Sequence, residues 1–138
     1  MTDDHSRIRV LSVDDHALLR EGIAAIITHQ SDMVLVSQAS GGREAIQQYR
    51  EYKPDVTLMD LRMPDLSGID ALIAIRAEFP DARVIMLTTF EGDEEVRRAL
   101  EGGASGYLLK SLPPNQLVQA IREVHAGKKL APPNSRVP

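Results

Sequence analysis

The feature that most constrains this chain is an alternation of two apolar periodicities, repeated five times along the sequence. Short runs rich in Val, Ile and Leu each precede a segment with apolar residues at helical spacing. The predicted strands are residues 8–13, 33–39, 56–59, 83–88 and 105–109, and the predicted helices are residues 16–29, 42–52, 67–78, 92–101 and 113–126. This order predicts an α/β fold with one parallel sheet covered on both faces. Right-handed crossovers and short loops favour a doubly wound sheet.

The length of 138 residues fits a single domain, and the low aromatic content of 4% predicts an aliphatic core. We expect residues 1–127 to form this domain and the proline-containing residues 128–138 to begin an interdomain linker. The absence of cysteine excludes disulfides and thiolate metal sites. The net charge of -4 argues against binding of a nucleic-acid backbone by these residues. No membrane helix and no secretory signal are predicted, so we expect a cytoplasmic protein without a membrane partner.

Polar side chains follow the predicted strands at the edge where doubly wound sheets bind ligands. Asp14 and Asp15 follow the first strand, Asp60 follows the third, Thr88 ends the fourth and Lys110 follows the fifth. Carboxylates about 4 Å apart repel by ~4 kcal/mol per pair at an effective dielectric constant of about 20, which a divalent cation would relieve. Hard oxygen donors with no His or Cys among them indicate Mg²⁺, and Lys and Thr suit phosphoryl oxygens. The pattern predicts a phosphoryl-binding site.

Structural roles compete with this functional interpretation. Asp15 could cap the first predicted helix, and Lys110 could be an ordinary surface charge. The histidines share no ligand spacing and are expected at the solvated surface; they are His5, His16, His29 and His125. Three glycines fit no phosphate-binding loop and are expected to form a helix C-cap and a turn; they are Gly102, Gly103 and Gly106. The charges of the fourth predicted helix could bind a partner or simply pair with one another; they are Glu94, Glu95, Arg97 and Arg98.

Four segments, taken in order, resemble the receiver domain of response regulators in two-component signalling, and residues 60–68 and 102–110 look most like its NarL/LuxR-type branch. They are residues 13–15 (Val-Asp-Asp), 59–64 (Met-Asp-Leu-Arg-Met-Pro), 87–88 (Leu-Thr) and 106–110 (Gly-Tyr-Leu-Leu-Lys). The resemblance covers about residues 7–127 and implies a flavodoxin-like (βα)5 fold with strand order 2-1-3-4-5. It also implies a sensor histidine kinase as partner and the ability to form a homodimer. Members usually bind DNA through a C-terminal helix-turn-helix domain, which would lie beyond residue 138 and which the receiver would control.

The resemblance implies that Asp60 accepts a phosphoryl group in a Mg²⁺-dependent reaction. Asp15, Asp60 and the backbone carbonyl of Arg62 would ligate the metal, and Asp14 would act on it mainly through water. The chemistry implied is self-phosphorylation and autodephosphorylation only, so we do not expect an enzyme in the usual sense.

The resemblance also assigns residues around the phosphoryl group. Lys110 would pair with it, Thr88 would donate its hydroxyl to it in the active state, and Tyr107 would report the switch. A half-buried strand aromatic is the competing interpretation of Tyr107. Arg62 and Phe90 would line the path of the attacking water and hinder it.

The residue after Lys110 departs from the family pattern. Many receivers carry a cis-Pro after the Lys, but Ser111 follows Lys110, which leaves the geometry of that peptide bond open.

Three other functions compete with the receiver interpretation. A haloacid-dehalogenase-type phosphatase would need a second Asp at the position of Arg62. A flavodoxin-like cofactor binder would need more aromatic residues. A degenerate receiver that only binds partners would lack part of the set Asp60, Thr88 and Lys110.

Overall fold

The computed structural model describes residues 7–89 and 92–130. The strands are β1 (Ile8–Val13), β2 (Met33–Ala39), β3 (Val56–Asp60), β4 (Val84–Thr88) and β5 (Gly106–Leu109). The helices are α1 (Ala17–Thr28), α2 (Gly42–Tyr52), α3 (Gly68–Glu78), α4 (Asp93–Glu101) and α5 (Pro114–His125). Each predicted element is present with its ends within one residue of the prediction, because the apolar runs and the Gly and Pro residues that interrupt them are strong local signals.

The five strands form one parallel sheet in the order β2-β1-β3-β4-β5, which confirms the doubly wound fold. The chain adds β2 on one side of β1 and then β3 on the other, so the topology reverses between β1 and β3. Asp60 is aligned with Leu87, and Thr88 is aligned with Leu109. The carboxyl ends of β1, β3, β4 and β5 therefore finish at one edge of the sheet, where ligands bind in this architecture.

Two apolar clusters fill the space between the sheet and its helices. Neighbouring residues of β1 serve both, since Val10 packs towards α1 and α5 while Leu11 packs towards α2, α3 and α4. Both side chains are fully buried. The core is mainly aliphatic, as predicted, but Tyr49 packs against Phe79 with ring centroids 5.0 Å apart. Strands covered on both faces explain why β1 shows a continuous apolar run and no alternation.

The loops around the sheet are fixed by polar contacts and by glycine. Asp65 accepts hydrogen bonds from the backbone N–H groups of Gly42 and Arg43, at 3.0 and 3.1 Å, and thereby caps the start of α2. The bond from Arg43 is the main reason that the pKa of Asp65 lies below its usual range. Gly103 adopts a φ of 93° directly after α4, which confirms the predicted turn.

The chain after α5 returns to the sheet. The backbone N–H of Leu130 donates to the carbonyl of Ser105 at 2.8 Å, beside β5. Residues 131–138 of the predicted linker lie outside the described residues, so its boundaries stay a prediction. Within residues 7–89 and 92–130, no helix has the length and apolarity that crossing a membrane requires.

Candidate functional site

Three carboxylates converge where β1 and β3 end. The backbone N–H of Asp14 donates to the carbonyl of Ala39 at 3.0 Å, which extends the course of β1 by one residue. Asp60 is the last residue of β3. One oxygen from each of Asp14, Asp15 and Asp60 and one ring nitrogen of His16 lie within 4.8 Å of one another. Asp14 and Asp60 are 1% and 3% exposed, whereas Asp15 is exposed.

Lys110 joins two of these carboxylates. Its Nζ lies 2.9 Å from Asp14 Oδ2 and 3.0 Å from Asp60 Oδ1. Its backbone N–H donates to the carbonyl of Thr88 at 2.7 Å, which fixes the start of its side chain beside the end of β4. One ammonium group cannot balance three carboxylates. The cluster therefore keeps an excess of negative charge that a cation would offset.

The ionisation of Asp60 is opposed by its surroundings. Burial raises the pKa of Asp60, the nearby Asp14 charge raises it further, and the contact with Lys110 only partly counteracts both effects. Burial by itself would lower the pKa of Lys110, but its hydrogen bonds to Asp14 and Asp60 outweigh that effect and the pKa is raised. Among the described residues, Asp60 Oδ2 is buried and accepts no hydrogen bond. This oxygen is where the site has unused capacity to bind a ligand.

A small cavity of about 100 Å³ adjoins Asp60. A water molecule takes about 30 Å³ in the liquid, so the space suits a small group such as a phosphoryl group. The buried Thr88 lines it from the end of β4. The remaining lining residues are His16, Leu61, Arg62, Thr89 and Lys110. A larger apolar groove of about 470 Å³ lies between α1 and α5 and is lined by none of the three acids.

His16 belongs to this cluster, which the sequence did not indicate. Its Nδ1 lies 3.1 Å from Asp14 Oδ1 and 3.1 Å from Asp15 Oδ1, although 70% of the side chain is exposed. His16 is exposed, as expected, but its ring also contacts the acidic cluster. The alternative role of Asp15 as a helix cap is wrong, because His16 occupies the capping position and the His16 side chain makes no capping bond. The only sequence signal was that His16 directly follows the acidic pair.

Gly68 was also missed, and it shapes the backbone beside Asp60. A Cβ atom at this position would lie 2.0 Å from the carbonyl oxygen of Asp60, so only glycine fits. The Gly68 N–H donates to the carbonyl of Leu61 at 2.8 Å, which closes the loop between β3 and α3. Spacing along the chain did not reveal this close approach.

The remaining predicted residues lie around the cluster rather than in it. Tyr107 lies in β5, aligned with Met86. Its side chain is fully buried, so the alternative interpretation of Tyr107 as a half-buried aromatic is wrong. Arg62 Nη2 donates to Glu95 Oε1 of α4 at 2.8 Å. Phe90 lies outside the described residues. The peptide bond between Lys110 and Ser111 is trans.

The charges on α4 are mostly paired with one another or with neighbouring elements. Arg97 contacts Glu101 Oε1 at 2.8 Å and also pairs with Glu94. Arg98 lies 3.5 Å from Asp70 of α3. These pairs agree with the solvated-face interpretation, and a partner-binding role for this surface stays a prediction.

Comparison with known proteins identifies the family. The response regulator receiver domain model matches residues 10–122. The chain belongs to this family. The receiver is 40% identical over 126 residues to the response regulator protein VraR of Staphylococcus aureus, a match that covers 91% of this chain and 60% of that protein. The chain thus spans about 60% of the length of the curated relatives it matches.

Solved structures agree with this assignment. A LuxR-family two-component response regulator from Aurantimonas sp. SI85-9A1 superposes with a TM-score of 0.88 at 39% identity, covering 94% of this chain and 92% of that chain. The signal receiver domain of NarL from Mycobacterium tuberculosis superposes with a TM-score of 0.86 at 31% identity, covering 89% of this chain and 99% of that chain. The CheX-CheY-BeF3-Mg complex from Borrelia burgdorferi superposes with a TM-score of 0.80 at 25% identity, covering 89% of this chain and 98% of that chain. The protein is a receiver domain of a two-component response regulator, as the resemblance implied.

Proposed function

We propose that this receiver accepts a phosphoryl group on Asp60 from a sensor histidine kinase in a Mg²⁺-dependent reaction. The observation that carries the proposal is the buried Asp60 Oδ2, which accepts no hydrogen bond from the described residues while Oδ1 is held by Lys110 at 3.0 Å. An available carboxylate oxygen beside a fixed cation and a small cavity is the arrangement that an attacking nucleophile needs.

The donor set of the site fits Mg²⁺. The three carboxylates supply the hard oxygen ligands that this ion prefers, and their mutual repulsion makes the binding of a cation favourable. Asp15, Asp60 and the backbone carbonyl of Arg62 would hold the ion, with Asp14 acting mainly through water. When bound, Mg²⁺ would neutralise charge on the phosphoryl oxygens.

The reaction assigned to this site is an in-line displacement. An Asp60 oxygen forms a bond to phosphorus while the bond from phosphorus to the kinase histidine breaks, and the electron pair leaves with that imidazole. Lys110 keeps its proton because its pKa is raised, so it can pair with the phosphoryl oxygens as a cation. The Thr88 hydroxyl donates to the same group in the active state.

Loss of the phosphoryl group and the conformational output belong to the same proposal. Water would hydrolyse the acyl phosphate slowly, with Arg62 and Phe90 restricting its approach, and no other enzymatic activity is proposed. Movement of Thr88 towards the phosphoryl group would be followed by Tyr107. We also propose that residues 1–127 act in the cytoplasm, that residues 128–138 begin a linker, and that the receiver can form a homodimer. DNA would be bound only through a further domain.

Intact-mass measurement after incubation with Mg²⁺ and acetyl phosphate tests the acceptor. The wild type should gain the mass of one phosphoryl group, and Asp60→Asn should gain none while it keeps its circular dichroism spectrum. Asp81→Asn changes an exposed carboxylate far from the cluster and should behave as the wild type. Phosphoryl mass that persists in Asp60→Asn would refute the assignment.

A further inference from the structure

His16 places an imidazole nitrogen directly among the carboxylates of the proposed metal site. Its Nδ1 lies 3.1 Å from one oxygen of Asp14 and 3.1 Å from one oxygen of Asp15. The ring nitrogen and one oxygen from each of the three acids fall within 4.8 Å of one another. Ligands on opposite sides of one octahedral ion are about 4.2 Å apart, so a small adjustment would bring all four donors onto one ion.

The buried Asp60 Oδ2 is a second, independent sign of a ligand at this place. Asp60 is 3% exposed, and Oδ2 accepts no hydrogen bond within the described part of the chain. Leaving a buried carboxylate oxygen without a partner is unfavourable, and coordination to a cation would satisfy it. The structure thus offers one nitrogen and three oxygen donors, which is a broader ligand set than the oxygen-only site expected from the sequence.

The backbone frees the His16 ring for this role. The backbone N–H of His16 donates to Asp14 Oδ1 at 2.8 Å, so the position of residue 16 is fixed independently of its side chain. In the metal-free protein a proton on Nδ1 can be shared between the two neighbouring carboxylates. The other neutral tautomer carries its proton on Nε2 and presents a bare Nδ1 at the same point.

We propose that His16 is a nitrogen ligand that extends this site from Mg²⁺ to imidazole-preferring divalent transition metals such as Ni²⁺. Imidazole strongly favours Ni²⁺, Cu²⁺ and Zn²⁺, whereas Mg²⁺ binds through carboxylates and water and gains little from a nitrogen donor. The side chain of residue 16 therefore sets which metal the site selects. This inference rests on the metal site of the proposed function.

Calorimetric titration of tag-free protein with Ni²⁺ and, separately, with Mg²⁺ tests the inference. His16→Asn keeps the backbone hydrogen bond to Asp14 and a short polar side chain but removes the imidazole. We expect it to weaken Ni²⁺ binding by about ten-fold or more and to change Mg²⁺ binding by less than about two-fold. His125→Asn removes an exposed histidine at the end of α5 and should change neither affinity.

Each other result has a distinct meaning. An equal loss of Ni²⁺ and Mg²⁺ affinity in His16→Asn would show that the histidine only orients the carboxylates, and would overturn the inference. Unchanged Ni²⁺ affinity would overturn it as well. If the wild type binds neither metal, the proposed metal site itself fails, and the inference fails with it.

Discussion

Replacing Asp60 by Asn should stabilise the metal-free receiver at neutral pH. The variant keeps the size of the side chain and an oxygen that can accept a hydrogen bond from Lys110, but it removes a buried negative charge. That charge is opposed by burial and by the Asp14 carboxylate, and both effects raise the pKa of Asp60. An amide at the same position avoids both.

The size of the effect follows from the distances in the cluster. The Asp60 oxygen lies within 4.8 Å of the Asp14 and Asp15 oxygens, and at an effective dielectric constant of about 20 each pair repels by about 3.5 kcal/mol or more. The attraction between Asp60 and Lys110, at 3.0 Å, stabilises the charged Asp60 by about 5.5 kcal/mol at the same dielectric constant. The two repulsions exceed the attraction by about 1–2 kcal/mol before burial is counted. We therefore expect a rise of roughly that size in unfolding free energy, or about 3–8 °C in Tm for a domain of this length.

The gain in unfolding free energy of Asp60→Asn over the wild type should depend on pH in a defined direction. Because the pKa of Asp60 in the folded protein lies above its ordinary value of 3.8, the folded state binds this proton more tightly than the unfolded chain. The wild type therefore loses stability as the pH rises from 3.8 through the raised value, and Asp60→Asn does not. The stability difference should be largest above the raised pKa of Asp60 and should shrink as the pH falls towards 3.8.

Urea unfolding in EDTA at several pH values between 4.5 and 7.5 measures this difference. Asp81→Asn removes one exposed carboxylate from a chain of net charge -4 and reports the general effect of reducing that charge. An Asp60→Asn variant no more stable than Asp81→Asn at pH 7.5, or a gain that stays constant down to pH 4.5, would refute the electrostatic reasoning.

Two further predictions concern the metal and the lifetime of the phosphoryl group. Mg²⁺ at ten times its dissociation constant should stabilise the wild type by about 1.4 kcal/mol, which a thermal scan detects as a rise in Tm. Lys110→Ala should keep this rise in Tm, and Asp15→Asn should lose it. No rise in the wild type would count against the site. Arg62→Asn, alone or with Phe90→Ala, should shorten the lifetime of the acyl phosphate followed by intact mass, because less bulk then restricts the attacking water. Glu95→Gln removes the negative charge that pairs with Arg62 but keeps the bulk of both side chains, so it should change the lifetime less. Equal lifetimes in all variants would reject the gating role.

The sequence predicted the fold and the position of the site because both depend on strong local signals. Five buried strands appear as five apolar runs, and in a parallel sheet their carboxyl ends meet at one edge. Asp14, Asp60, Thr88 and Lys110 could therefore be grouped from chain order alone, and the structure brings them together. Their chemical roles stay predictions, because geometry shows proximity and not turnover.

The residues that were missed act through contacts that periodicity does not encode. Gly68 is required by the carbonyl of Asp60, eight positions earlier in the chain. Asp65 caps a helix that begins 23 residues before it. The direction of the His16 ring depends on where the backbone turns after β1, which no pattern of apolar residues specifies. Complete burial of Tyr107 likewise follows from the packing of α2, α3 and α4 over the sheet.

The geometry around Lys110 limits how far phosphorylation at Asp60 can drive a switch. Lys110 already pairs with Asp14 and Asp60, so its attraction to a phosphoryl group would replace contacts that exist in the resting state. Moving a population from 1:99 to 99:1 requires about 5.5 kcal/mol of differential stabilisation. A charge-assisted hydrogen bond contributes about 1.5–3 kcal/mol, so a new bond from Thr88 supplies about half of that at most. It follows that the proposed switch is graded: either the resting receiver already samples the active arrangement, or the phosphorylated receiver remains a mixture of both arrangements.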